Sequence, residues 1–263
     1  MKIKAKKSLG QNFLIDQNIA KKIVNSAKIN ENDSIFEIGP GTGNLSAHLI
    51  KKKPKNFFAI EKDTNLAVLL NEKFKNKINV INKDILKFNI EKTTEDKLIV
   101  FGNLPYNIST QILVNWITNT KGNPFFKKLI LMFQKEVADR ILAKTNSTNY
   151  GRLSIISNWQ LEIKKEFDIS PHCFYPKPKI NSTLLSFVPK KNFFYLKNPK
   201  NLEYITRVFF NQKRKMINKP LKQIFKNYDK VVKNLNLNVN QRPHNLSPTI
   251  YFELTKEYEK LSN

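Results

Sequence analysis

Between about Ser34 and Gln134 short apolar runs alternate with stretches of helical periodicity, and this alternation constrains the fold more than any other feature. Ser34–Gly39, Phe57–Glu61, Ile78–Asp84, Leu98–Asn103 and Lys128–Gln134 read as strands. Gly43–Lys51, Thr64–Phe74, Thr110–Thr118 and Lys135–Lys144 read as the helices between and after them. A helix between two strands returns the chain to the same end of the sheet, so the strands pair in parallel. The expected fold class is therefore α/β. Several strands end in a Gly, acidic or amide residue, and in open parallel sheets ligands sit at those carboxyl ends. A further helix near Gly151–Gln160 and strands near Leu161–Ile169 and Thr183–Val188 extend the pattern, with a Pro-rich connection over Pro171–Lys179. Beyond Pro189 the periodicity becomes helical with charged faces, broken at Pro220 and Pro243. The expected organisation is an α/β domain over residues 1–190 and a small basic helical domain over residues 191–263, without internal repeats.

Charge narrows the choice of partner. The chain has 46 Lys and Arg against 21 Asp and Glu, a formal charge of +25, and residues 191–263 alone hold 15 basic and five acidic side chains. Clustered basic side chains gain affinity by releasing counterions from phosphates, which points to nucleic acid. With 263 residues and 40% hydrophobic content the chain can bury a real core, which excludes a wholly disordered tail. The lone Cys173 excludes an intrachain disulfide and a cysteine-built zinc site. His48, His172 and His244 are too scattered to gather a metal, so none is expected. No apolar run nears the roughly 20 residues that span a bilayer, and no apolar stretch follows the basic start Met1–Lys7. A soluble, cytoplasmic protein with no membrane partner is the expectation.

Two motifs carry the chemistry. Glu37-Ile-Gly-Pro-Gly-Thr-Gly43 closes the first strand, and its glycines let backbone turn sharply and approach a ligand that a Cβ would exclude. A dinucleotide fingerprint needs a third Gly where this chain has Asn44, which weakens a nicotinamide cofactor. Glu61 ends the second strand, where a carboxylate can accept both hydroxyls of a ribose. Asp84 ends the third and can accept from an adenine amino group. Three successive strand ends with one logic read as an adenosine-binding site. The second motif is Asn103-Leu104-Pro105-Tyr106, directly after the fourth strand. Pro105 fixes its own φ and keeps Leu104 extended, which aims the Leu104 carbonyl. That carbonyl and the Asn103 side-chain oxygen are two acceptors, and the Tyr106 ring is a stacking face. Together they suit a planar base with an exocyclic amino group. Gripping both amino hydrogens favours a pyramidal nitrogen whose lone pair points at an electrophile.

These residues, with Lys7-Ser-Leu-Gly-Gln-Asn-Phe-Leu14, Tyr150-Gly-Arg-Leu-Ser154, Phe174-Tyr-Pro-Lys-Pro-Lys-Ile-Asn-Ser182 and Phe210-Asn-Gln-Lys-Arg-Lys215, closely resemble the ribosomal RNA adenine-N6 dimethyltransferases. The resemblance runs from about Lys7 and fades over the last forty or so residues. It implies a Rossmann-like S-adenosylmethionine-dependent methyltransferase sheet with a small C-terminal helical domain. The branch it resembles acts on the small ribosomal subunit, placing two methyls on each of two adjacent adenines near the 3′ end of 16S rRNA. The family's cofactor contacts fall on Asn12, Leu14, Gly39, Glu61, Asp84 and Asn103. Its base clamp falls on Asn103, Leu104, Pro105 and Tyr106, and its Phe-x-Pro-x-Pro-Lys segment implies that Phe174 lies against the other face of the base. Lys213, Arg214 and Lys215 match its basic cluster for RNA. The implied partner is 16S rRNA within the small subunit or its precursor, bound by a monomer. Departures lie at Ser170-Pro171, Ile180 and Lys213, where the family usually has Pro-Pro, Val and Arg. The competing readings are a 23S rRNA adenine methyltransferase of the macrolide-resistance type, a non-catalytic ribosome-assembly factor and a DNA adenine methyltransferase. The first typically has Ile at the position of Leu104, the second has no need of an intact Glu61, Asp84 and Asn103–Tyr106, and the third no need of Gln11–Leu14.

Overall fold

Two elements precede the alternating region: a two-residue strand, β1 (Phe13–Leu14), and a helix, α1 (Gln17–Ala27). The computed structural model describes residues 5–105, 108–120 and 123–261. Helix α1 is absent from the expected series, although its signals are present. The Asp16 carboxylate accepts from the Asn18 and Ile19 N–H groups, and Ala20, Ile23, Val24 and Ala27 bury one face.

The α/β series then follows as β2 (Ser34–Ile38), α2 (Asn44–Ile50), β3 (Asn56–Glu61), α3 (Thr64–Phe74), β4 (Asn79–Asn82), β5 (Leu98–Gly102), α4 (Ser109–Asn119), β6 (Phe126–Gln134) and α5 (Lys135–Ile141). After these come α6 (Arg152–Gln160), β7 (Leu161–Ile169), β8 (Phe174–Tyr175) and β9 (Ser182–Pro189). Seven strands form one sheet in the order β4-β3-β2-β5-β6-β9-β7. The pairs from β4 to β6 are parallel, and β6 with β9 is antiparallel. Composition explains the placement. The central strands β2 and β5 are buried at every position, as strands covered on both faces must be. The edge strand β7 carries Glu162, Lys164, Lys165, Glu166 and Asp168, and charge there discourages pairing with another chain. Strands β1 and β8 make a separate antiparallel pair, Phe13 opposite Tyr175 and Leu14 opposite Phe174. Sequence periodicity cannot show a two-residue strand.

The chain divides into two compact units. The first holds the described residues up to Ile112 with Pro124–Ala138 and Ile163–Pro189; the second holds Leu113–Asn123, Asp139–Glu162 and everything described from Lys190. The second unit is thus discontinuous in the chain: two earlier segments join the one that begins at Lys190. Helix α6 shows why: Leu153, Ile155, Ile156 and Trp159 are buried around much of its circumference, so it needs apolar neighbours on more than one side. The second unit supplies them with α7 (Pro199–Asn211) and α10 (Pro248–Glu259), while α8 (Asn218–Ile224) packs on α7 and α9 (Tyr228–Asn234) on α8. Several of its buried polar groups are paired, whereas Ser157 Oγ, Asn218 Oδ1 and His244 Nδ1 are buried without a hydrogen-bond partner. The Tyr150 hydroxyl donates to the Leu246 carbonyl at 3.0 Å and Tyr251 to that of Pro243 at 2.6 Å, while Glu259 accepts from the Lys197 and Asn198 N–H groups at the start of α7. No helix among the described residues is long and apolar enough to cross a membrane.

The approach of Phe74 and Leu70 on α3 to the start of α2 depends on Gly43, which caps α2 at a φ of 79°. A Cβ there would stand 2.5 Å from Phe74 Cε2 and 2.9 Å from Leu70 Cδ2. Gly43→Ala combines left-handed strain with a clash and should destabilise the protein by about 2–4 kcal/mol. Urea denaturation monitored by circular dichroism checks this; an unchanged midpoint would mean that the two helices do not pack as described.

Candidate active site

Strand order creates the site. The chain runs outward from β2 through β3 to β4, then returns to lay β5 on the other side of β2, so a crevice opens beyond the carboxyl ends of β2 and β5. A cavity lies there within the first unit. The loops after β2, β3, β4 and β5 line it, and so does a strap, Ser8–Leu14, from the N-terminal side.

Each loop brings one functional group. Gly39 (φ 63°) donates its N–H to the Ile60 carbonyl, which turns the chain out of β2. Gly41 (φ 58°) has no room for a Cβ, which would sit 2.8 Å from the Phe13 ring, and its N–H donates to Glu61 Oε2 at 3.2 Å. The Asp63 N–H donates to Glu61 Oε1 at 2.9 Å. Glu61, only 6% exposed, is thus aimed by two backbone donors; burial nevertheless holds its carboxyl above the ordinary range. Asp84 differs. An ion pair with Lys62 at 2.9 Å lowers its pKa, and its other oxygen accepts the Leu86 N–H. A carboxylate oxygen accepts more than one hydrogen bond, so both groups keep acceptor capacity towards a ligand.

The loop after β5 is tied to the strap. Asn103 Nδ2 donates to the Asn12 carbonyl at 2.9 Å. A carbonyl can only accept, so the amide nitrogen faces Asn12 and Oδ1 is left as the acceptor. Leu104 is 1% exposed, and its side chain sits where a Cβ on residue 102 would come within 3.0 Å of it, hence Gly102. The Pro105 carbonyl accepts from the Ile108 and Ser109 N–H groups that open α4. Asn44 Nδ2 donates to the Leu14 carbonyl at 2.7 Å, a second tie on the strap.

The crevice therefore gathers Asn12, Leu14, Gly39, Glu61, Asp84, Asn103, Leu104 and Pro105 around one cavity. Tyr106 lies outside the described residues. Phe174 is placed elsewhere than expected: it is 2% exposed and packs in the core with Leu14, Ala20, Ile23 and Val24. Because residues alternate along a strand, its neighbour Tyr175 carries the exposed ring of β8, at 61%. Lys213, Arg214 and Lys215 follow α7 in the second unit and are exposed. Lys213 Nζ donates to the Thr148 carbonyl, while Arg214 and Lys215 line a shallow recess with Lys219, Lys222 and Arg242.

The family model described as ribosomal RNA adenine dimethylase matches residues 2–260. The chain belongs to that family. Two curated relatives are called ribosomal RNA small subunit methyltransferase A. The one from Pelagibacter ubique is 56% identical over 261 residues, 99% of each chain; the one from a Wolbachia of Drosophila simulans is 43% identical over 249 residues, 93% of this chain and 90% of the relative. A dimethyladenosine transferase from Plasmodium falciparum superposes with a TM-score of 0.82 at 28% identity, covering 95% of this chain and 98% of that one. The 23S rRNA methyltransferase ErmE shares the fold, with a TM-score of 0.69 at 21% identity over 94% of this chain and all of its own. The fold is that of the Rossmann-like methyltransferases, and the family's cofactor is S-adenosylmethionine. The residues present fit it: Gly41, which has no room for a side chain, the buried Glu61 carboxylate to accept from hydroxyls, and apolar Leu45, Ile60, Ile85 and Leu86 for a flat ring.

Sequence reasoning noticed Glu37 only as the head of the glycine loop. It is fully buried, accepts a 2.6 Å hydrogen bond from Ser46 and faces Glu61; burial pushes its carboxyl up to about 8. Below the ordinary value of 4.5 both folded and unfolded chains are protonated here. Above it the unfolded chain ionises first, so stability falls as pH rises from about 4.5 to about 8 and the loss ends once the folded carboxyl ionises. Glu37→Gln keeps the shape and should flatten that decline. Urea midpoints measured across this window check it; parallel curves for variant and wild type would place the titration elsewhere.

Proposed function

We propose that this chain transfers methyl groups from S-adenosylmethionine to N6 of two adjacent adenines near the 3′ end of 16S rRNA, giving N6,N6-dimethyladenosines in the small subunit or its precursor. The observation that carries this reading is the Asn103 amide, held by the Asn12 carbonyl so that an acceptor is presented beside a carboxylate-lined adenosine pocket. The cofactor, when bound, supplies an electrophilic methyl group on a sulfonium. Glu61 accepts from its ribose hydroxyls and Asp84 from its adenine amino group. The glycine loop and the strap at Asn12 and Leu14 enclose the rest.

The target adenine leaves its stack to reach the crevice, as bases do in enzymes that modify them. Asn103 Oδ1 and the Leu104 carbonyl accept its two amino hydrogens, and Tyr106 stacks on its face, a contact worth about 1–3 kcal/mol. Held this way, N6 keeps its lone pair out of the ring and aimed at the electrophile. No strong base is required, because a nitrogen that gains a methyl becomes acidic and gives its proton to solvent. Positioning of this kind can supply about 7–11 kcal/mol of a barrier.

Tyr106→Ala should cut turnover severely with cofactor affinity retained, and Asn103→Ala should damage both. Leu104→Ala keeps its carbonyl and should spare turnover most, but truncating so buried a side chain should cost about 2–5 kcal/mol of stability. After the first transfer one amino hydrogen remains for two acceptors, so a loosened clamp should change the ratio of mono- to dimethyladenosine. Mass spectrometry of rRNA digested after reaction with unmethylated small subunits counts both; wild-type yields from Tyr106→Ala would sink the clamp.

The basic recess of the second unit is proposed to hold the RNA backbone. Reversing the charges of Lys213, Arg214 and Lys215 together should weaken particle binding and reduce the slope of log affinity against log salt by about two to three. Cofactor affinity should stay unchanged. Filter binding over a salt series tests this, and an unaltered slope would make the cluster a solvated surface.

A further inference from the structure

Asp63 makes more bonds than its place in the fold requires. As N-cap of α3 it needs one oxygen, and Oδ1 accepts the Asn65 N–H at 3.1 Å. Its Oδ2 takes two partners from the distant N-terminal strap: Lys6 Nζ at 2.8 Å and Gln11 Nε2 at 3.2 Å. Gln11 is oriented from its other end, because Oε1 accepts the Lys6 N–H at 2.8 Å. Lys6, Gln11 and Asp63 therefore close a ring of hydrogen bonds at one end of the strap. The Asp63 backbone N–H meanwhile holds Glu61. Further along, the strap gives the Asn12 carbonyl to Asn103 and the Leu14 carbonyl to Asn44.

We propose that Asp63 is a positioning residue that couples the cofactor seat to the base clamp by latching the strap Lys6–Leu14, a proposal that rests on the function proposed above. Its backbone fixes the ribose acceptor and its side chain fixes the strap. The strap in turn decides which end of the Asn103 amide faces the substrate. Once the latch opens, the Asn12 carbonyl no longer holds Nδ2, and a rotated amide presents a donor to amino hydrogens that need an acceptor. The pairing also keeps the Asp63 carboxyl below its ordinary range, so the latch stays charged at neutral pH.

The test uses the full-length protein. Asp63→Asn is isosteric and keeps the Oδ1 cap of α3; Lys6→Met and Gln11→Ala loosen the latch from the strap side and leave α3 untouched, so the test survives if Asp63→Asn fails to fold. S-adenosylmethionine affinity is measured by titration calorimetry, and kcat at saturating cofactor by methyl transfer to unmethylated small subunits. The loss of one charged hydrogen bond predicts an affinity about ten- to hundredfold weaker. Coupling predicts a lowered kcat as well, with a raised share of monomethyladenosine, and rescue of Lys6→Met by Lys6→Arg. A weaker affinity with wild-type kcat would remove the coupling. Failure of Lys6→Arg to rescue would remove the ion pair, and unchanged affinity in all the latch variants would overturn the proposal. Glu61→Ala separates the two levels: if it loses cofactor while the latch variants do not, the latch alone is wrong; if it binds normally, the site reading itself fails.

Discussion

Strands β2 and β5 pair in parallel, Ile35 opposite Ile99, although β3 and β4 come between them in the chain. Both are buried at every position, and nothing but another apolar strand can lie beside either one. Once they pair, their following loops diverge and leave a crevice that no side chain of the sheet can fill. Gly39 and Gly41 keep that space open on one side, and Asn103 with Leu104 stands on the other. The site is a consequence of strand order before it is a matter of particular side chains.

A chain of net charge +25 places three carboxylates around this cavity, and they are held in three different states. Burial raises Glu37 far enough for it to stay protonated at neutral pH, where it behaves as a hydrogen-bonding core group. Two backbone N–H groups partly offset the burial of Glu61, which is what an acceptor for hydroxyls needs. Asp84 is ionised beside Lys62. Three like charges in one pocket would repel one another. Distributing them among a protonated, a backbone-solvated and an ion-paired group avoids this.

The strands and the glycine loop were legible in the sequence because their signals are local. Leu98–Gly102 is apolar throughout, and Glu37–Gly43 is dense in glycine. What stayed hidden depends on partners remote in the chain. Nothing near Asp63 in sequence indicates that its second oxygen faces Lys6, and nothing near Glu37 shows that burial will keep its carboxyl protonated despite the hydrogen bond from Ser46. The burial of Phe174 was hidden for a related reason. Its motif marks an aromatic among prolines, but the pairing of β8 with β1 decides which of two adjacent rings turns inward, and the sequence alone does not reveal a two-residue pairing. The recruitment of Asp139–Glu162 into the second unit likewise follows from packing around α6.

The amide at position 103 makes sense only together with the strap. Asparagine offers a donor end and an acceptor end of nearly equal size, and nothing within the residue chooses between them. An aspartate would offer acceptors at both ends, yet it would have no N–H for the Asn12 carbonyl and would set a charged oxygen against it. A carbonyl 91 residues earlier in the chain, which can only accept, draws the Nδ2 end to itself and so fixes the other end as an acceptor. The orientation of the Asn103 amide, and with it the polarity of the proposed clamp, is therefore set by a backbone group. It persists only while the strap is in place, and the strap also lines the cofactor cavity. Cofactor seat and clamp then share one physical element, so that whatever orders the strap orders both.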